Sequence, residues 1–183
     1  HKLQNTWVFW EHKQCQTNAD WNNAMREVCE FGTVEDFWKY FSYVPRPSEI
    51  FNDGSNSGKK EVNGKTIEAF SIFKKGIRPE WEDPVNRTGS ELVCRKTMHL
   101  DLVDVYWENL VLAMIGEAMD EDDDICGGRI VDKSKKGSSR TMFKIEIWMR
   151  TASAETGERI RLKLLDALTD NEASKPGFTS KQL

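Results

Sequence analysis

The stretch Thr141–Arg150, TMFKIEIWMR, constrains the fold of this chain more than any other part of it. Phe143, Ile145, Ile147 and Met149 occupy every second position, and strand side chains alternate between faces, so these four share the core face. Lys144, Glu146, Trp148 and Arg150 share the other. Parity therefore sets Trp148 on a polar, solvent-facing side among charges, unless it covers a satellite apolar cluster there. A strand with one apolar face belongs in a sheet covered on one side only.

The same periodicities extend along the chain. Leu3–Trp10 reads as a strand with Trp7 and Phe9 on one face and Val8 and Trp10 on the other. Residues 11–23 are polar and turn-like, yet contain Trp21. GTVEDFWKYFSYVP, at 32–45, reads as a helix with Thr33 as its cap and Asp36 in the capping-box position. Pro45 and Pro47 are expected to end it. Residues 52–66 are rich in Gly, Ser, Asn and Lys and read as a mobile loop. Strands are expected at Ile67–Lys74, Leu92–His99 and Arg129–Lys133, and helices at Val103–Met119 and Glu158–Leu168. Short strands interleaved with three helices predict an α+β fold on an antiparallel sheet, with one sheet face left free for a ligand.

Composition narrows the function classes. At 183 residues the chain suits one domain, residues 1–183, with a full core. A net charge of −4 excludes a uniformly basic nucleic-acid binder and leaves room for a local basic patch. No apolar run is long enough to span a bilayer, and the first residues do not read as a signal peptide. The chain opens already inside a strand pattern, as a piece trimmed from a longer protein would. Four cysteines with no paired spacing suggest neither a zinc site nor a disulfide framework and fit a reducing compartment. Three histidines match no zinc-protease spacing, and neither a nucleophile elbow nor a phosphate-cradling glycine loop is present. The DEDDD run at 120–124 fails as a calcium loop, because Ile125 stands at position 6 and Val131 at position 12, and reads as a solvated loop. No catalytic residues, metal or cofactor are expected.

Seven tryptophans are many for this length, and two of them, Trp21 and Trp81, lie in polar, loop-like segments. A loop tryptophan is more often tucked against the core than offered to a ligand. With Trp148 and a lysine-rich hairpin alongside, a stacking site becomes the sharper reading, since aromatic faces grip bases and cationic rings. Glu82, beside Trp81, would accept from two parallel N–H donors, such as those on the Watson–Crick edge of guanine. The basic hairpin by itself reads as solvated lysines that discourage edge pairing.

With those residues in view, the chain resembles the eukaryotic translation initiation factor 4E family, which binds the 7-methylguanosine cap of messenger RNA. The matching segments, in order, are HKLQNTWVFW, DWNNAM, TVEDFW, FKKGIRPEWED, YWENLVLAMIGE, DDDICGG and KIEIW. The resemblance implies a curved antiparallel sheet with three helices on its convex face and a cap slot on the concave one. It implies that Trp21 and Trp81 sandwich the methylated base, that Glu82 accepts its N1 and N2 protons, and that Trp148 lies against the N7 methyl group. Lys133, Lys135 and Lys144 match the positions that hold the triphosphate bridge. His1, Val34 and Trp38 match residues that dock a helix with a Tyr-x4-Leu-hydrophobic motif, and Glu108 and Asn109 stand where this surface usually carries Leu-Glu. That change points to a variant partner, and together with the long 52–66 and 133–144 segments it suggests a divergent paralogue of the trypanosomatid kind. The implied protein is a non-enzymatic, cytoplasmic factor, monomeric within a heteromeric complex, that brings capped messenger RNA to translation through a scaffold protein. A cap-binding repressor or storage factor is the alternative.

Overall fold

The computed structural model describes residues 1–15, 20–52, 59–138, 140–170 and 175–183, with the side chains of Trp21 and Asn22 outside that description. Eight strands form one antiparallel, curved sheet: β1 (Lys2–Lys13), β2 (Met25–Thr33), β3 (Glu61–Val62), β4 (Lys65–Lys74), β5 (Ser90–Thr97), β6 (Ile125–Asp132), β7 (Met142–Met149) and β8 (Thr179–Gln182). Their spatial order is β2-β1-β4-β6-β7-β5-β8, with β3 paired to β4 alone. The helices are α1 (Trp21–Ala24), α2 (Val34–Phe41), α3 (Pro47–Phe51), α4 (Leu100–Ile115) and α5 (Ala154–Leu168).

One face of the sheet makes the core. Phe143, Ile145, Ile147 and Met149 of β7 join Trp7 and Phe9 of β1 and Phe70 and Ile72 of β4 there, as strand parity requires. Phe37, Ile50, Phe51 and the apolar sides of α4 and α5 close over them, so the helices cover the convex face. Between β4 and β6 the backbones approach closely at Gly127, where a Cβ would stand 2.4 Å from Ile72 O and from Phe73 Cγ, so only glycine fits.

Helix α2 starts as its sequence predicts, with Thr33 Oγ1 accepting from Asp36 N at 3.0 Å and donating to Asp36 Oδ2 at 2.9 Å. It ends at Phe41, before either proline. Pro47 does not terminate a helix but opens α3, at a first-turn position where its missing N–H costs nothing. The end of the expected mobile loop is a hairpin: Asn63 and Gly64 both have positive φ, at 53° and 72°, and turn β3 into β4. Residues 53–58 of that loop lie outside the described residues. The acidic run is less solvated than expected. Asp120 is buried and accepts from the backbone N–H of Asp124 and Ile125, while Asp123 Oδ1 takes the buried Lys74 ammonium at 2.6 Å. Among the described residues no helix is long and apolar enough to cross a membrane.

Candidate functional site

Three features define the chemistry of the sheet face opposite the core. The first is the loop between β4 and β5. Trp81 is 59% exposed there, and Glu82 beside it is exposed as well. The loop that holds them out is itself fixed from inside. Asp83, buried, accepts from Arg78 N and Val85 N, both at 2.9 Å. Asn86, fully buried, donates its amide to Arg78 O at 2.9 Å and Glu80 O at 2.8 Å. Arg78 lays its guanidinium 5.6 Å over the Trp10 ring, which pins the loop to the sheet. Asp83 and Asn86 escaped the sequence reading. The clue was the Asp-Pro-x-Asn run after Trp81, since Asp and Asn side chains satisfy the backbone of tight turns.

An Asp83→Ala variant should therefore release the Arg78 and Val85 amides, speeding their hydrogen exchange by roughly 10- to 100-fold, in line with about 1–3 kcal/mol for leaving such groups unpaired. Unchanged exchange at both amides would show that the loop is held by something else.

The second feature is Trp148. Parity correctly puts it on the face opposite the core, but it is not solvent-facing: only 4% of it is exposed. Phe73, Ile77 and Cys126 enclose it, with Val85 packed against them, so the Trp81 loop roofs the cluster through Ile77 and Val85. Its Nε1 donates to Glu146 Oε2 at 3.0 Å. The same loop thus carries exposed Trp81 and Glu82 and packs on Trp148 through Ile77 and Val85.

The third feature is a cavity of about 280 Å3 whose lining includes Met25, Ala69, Val131, Lys133, Lys144 and Glu146. It exists because the small Ala69 floors the sheet here, between the strands that carry His12 and Val131. Glu146 is 2% exposed, and burial raises its pKa. The charges of Arg129 and Lys144, with hydrogen bonds from Lys144 and Trp148, outweigh that and hold the carboxyl below its usual range. Lys144 Nζ contacts Glu146 Oε1 directly, and Arg129 Nη1 lies 3.5 Å from Oε2. Of the three lysines expected on phosphate, Lys133 and Lys144 share this cavity, and Lys144 already has a partner in Glu146. Lys135 is exposed in the turn beyond and does not line it. Trp21 heads α1, and Ala24 and Met25, just after it, wall the cavity; the Trp21 side chain lies outside the described residues.

The family model described as Eukaryotic initiation factor 4E matches residues 2–182. This chain belongs to that family. It is 35% identical over 171 residues to eukaryotic translation initiation factor 4E1 of Drosophila melanogaster, covering 92% of this chain and 58% of the fly protein. The chain thus spans little more than half the length of that relative. Among solved structures, Ascaris suum eIF4E-3 in complex with an m2,2,7G cap matches with a TM-score of 0.78 at 26% identity, covering 100% of this chain and 91% of the worm protein. C. elegans eIF4E-3 in complex with the 4E-binding protein Mextli matches with a TM-score of 0.74 at 28% identity, covering 98% and 92% of the two chains.

On the helical side of this initiation factor 4E domain, the residues expected at a partner surface divide. His1 Nδ1 lies 2.7 Å from Glu35 Oε1, and Val34 N donates to His1 O at 2.9 Å, so β1 and α2 hold His1 beside Val34. Trp38, one turn on, is 44% exposed while its neighbour Phe37 is buried, which agrees with the helical spacing. A cavity of about 220 Å3 is lined by Trp38, Pro47, Trp107 and Glu108 among others. Glu108 also lies 3.7 Å from Arg46 Nη2. Asn109 points elsewhere: its Nδ2 donates to Leu168 O at 3.1 Å and ties α4 to the end of α5.

Proposed function

We propose that residues 1–183 act as a single cap-binding domain that holds the 7-methylguanosine 5′ cap of messenger RNA and recruits the message to translation initiation through a scaffold protein on its helical side. The observation that carries this reading is the exposed pair Trp81 and Glu82, on a loop that Asp83 and Asn86 brace from inside and that packs on Trp148 through Ile77 and Val85. Trp81 would stack on the cationic methylated base, with Trp21 as the opposite face of the sandwich. Glu82 would accept the N1 and N2 protons, and the backbone N–H of Trp81 would donate to O6. Trp148, roofed by the loop, would back the slot where the N7 methyl group lies. Lys133 and Lys135 would meet the triphosphate, with Lys144 contributing less because Glu146 already compensates its charge. No catalytic step or cofactor enters this reading, and its setting is the cytoplasm.

The test is a short RNA prepared with and without a 7-methylguanosine cap. The capped form should bind and be displaced by 7-methyl-GTP but not by GTP. Equal binding of the two RNAs would overturn the proposal.

A second reading, a cap-binding repressor or storage factor, draws on Glu108. Its charge lines the groove in which a helix bearing a Tyr-x4-Leu-hydrophobic motif would lay its apolar side. Recovery of an initiation scaffold with its helicase from cells favours the first reading, and recovery of only a non-scaffold RNA-binding protein favours the second.

A further inference from the structure

The groove on the helical side has a feature that the docking of an apolar helix does not explain. Trp38, Phe41, Val44 and Trp107 give it apolar walls, yet one cation, Arg46, and three carboxylates, Glu49, Asp104 and Glu108, also line it. Two of the carboxylates are committed inside the protein. Asp104 accepts from Ser48 N at 2.8 Å and from Ser48 Oγ at 2.5 Å. Glu49 Oε2 accepts from Arg46 N at 2.7 Å, in the turn that opens α3. Glu108 differs. Among the described residues its one charged partner is Arg46, whose Nη2 stands 3.7 Å from Oε2, too far for a hydrogen bond, and Oε1 has no partner. The Arg46 side chain is 63% exposed, so water still solvates this pair and the pair contributes little.

That balance changes when a helix covers the groove. Apolar side chains laid on Trp38 and Trp107 exclude the water around Glu108, and a carboxylate with one loose contact is costly to dry. A cation on the incoming helix removes that cost, because the open oxygen can accept it beside Arg46. Asn109, the next residue on α4, takes no part, since its amide donates to Leu168 O at 3.1 Å.

We infer that Glu108 selects the partner: the groove takes an amphipathic helix that sets a lysine or arginine among its apolar contacts, against Glu108. A helix that is apolar or acidic at that point is rejected. The inference rests on the proposed docking of a partner helix on this side, and it names the charge that decides which helix docks. A second copy of this chain, with a net charge of −4, is the poorer match for the groove.

The experiment titrates the 183-residue chain with fluorescent synthetic helices built on Tyr-x4-Leu-Leu. The four x positions and the two that follow the motif carry alanine throughout, or a single lysine or glutamate at each in turn. At one position the lysine helix should bind roughly tenfold tighter than the alanine helix, the gain of one desolvated charge pair, with glutamate weaker than alanine there. Glu108→Gln should remove the lysine preference, and Glu108→Lys should reverse it in favour of glutamate. Both variants should melt within about 2 °C of the parent, as substitutions at partly exposed positions do, so a lost preference is not lost folding. Equal binding of the lysine, alanine and glutamate helices at every position, or a lysine preference that survives both substitutions, overturns the inference while leaving the docking surface standing. If no helix binds, or if the chain pairs with itself and the helices do not compete, the docking reading fails and the inference falls with it.

Discussion

Replacing Glu82 with alanine is expected to weaken 7-methyl-GTP binding by roughly 10- to 100-fold, because a hydrogen bond to a charged group contributes about 1.5–3 kcal/mol. The thermal midpoint should move by less than about 2 °C, as surface substitutions change stability little. Two physical facts set this combination. Glu82 is exposed, and the loop's internal bonds use its backbone carbonyl, which accepts from Arg87 Nη2 at 3.2 Å. Its exposed carboxylate takes no part in those loop bonds. Once a base is stacked on Trp81, water is excluded and the carboxylate becomes the acceptor for two parallel donors. Trp81→Ala should cost somewhat less, about 1–3 kcal/mol, since stacking is the smaller contribution. Calorimetric titration beside a melting curve separates the outcomes. A large fall in melting temperature with Glu82→Ala would mean that the residue holds the loop rather than the ligand.

The largest stability effect is expected at Glu146. Glu146→Ala strips Arg129 and Lys144 of the buried carboxylate that faces both, and breaking a buried ion pair from one side costs about 3–5 kcal/mol. For a chain of this length that lowers the melting temperature by about 10 °C. Trp148 also loses the acceptor for its indole N–H. The sign of the pH dependence follows from the same contacts. Burial raises the Glu146 pKa, but Arg129, Lys144 and the hydrogen bonds lower it further, so the folded value lies below the unfolded one. The stabilisation is thus fully present above the unfolded carboxyl value, and it is lost as pH falls through the folded one. Glu146→Gln should flatten the acid limb of the stability profile and lower the midpoint at neutral pH. An unchanged midpoint at pH 7 in both variants would show that the pair contributes nothing net.

Much of this site was legible because its determinants are local. The alternation in TMFKIEIWMR fixed which side chains of β7 face the core, and the Thr33–Asp36 spacing located the start of α2. What parity cannot give is what lies above the second face. Trp148 is buried because the loop through Ile77 and Val85 folds back over it, a contact set by residues more than sixty positions away. Edge strands escaped for a different reason. β8 is exposed at all four positions and holds to β5 through its backbone, so its sequence TSKQ carries no apolar alternation. β2, with Arg26, Glu27 and Glu30 along it, is similarly polar. The β3–β4 hairpin was read as part of a mobile loop, although Asn63-Gly64 is a turn pair that needs no tertiary context.

Asp83 shows most clearly how residue type and role can diverge. Adjacent to an exposed Glu82, it has the same charge but the opposite use: its carboxylate turns inward to the loop's own N–H groups. Buried Asp83 and Asn86 set the geometry, and exposed Trp81 and Glu82 are free to use it.

The most direct measurement of the central claim is tryptophan fluorescence during titration with 7-methyl-GTP and, in parallel, with GTP. Stacking a cationic base on Trp81 should quench the emission and favour the methylated nucleotide by at least roughly tenfold, since cation–π attraction is worth about 2 kcal/mol when desolvated. Equal quenching and equal affinity for the two nucleotides would contradict the account.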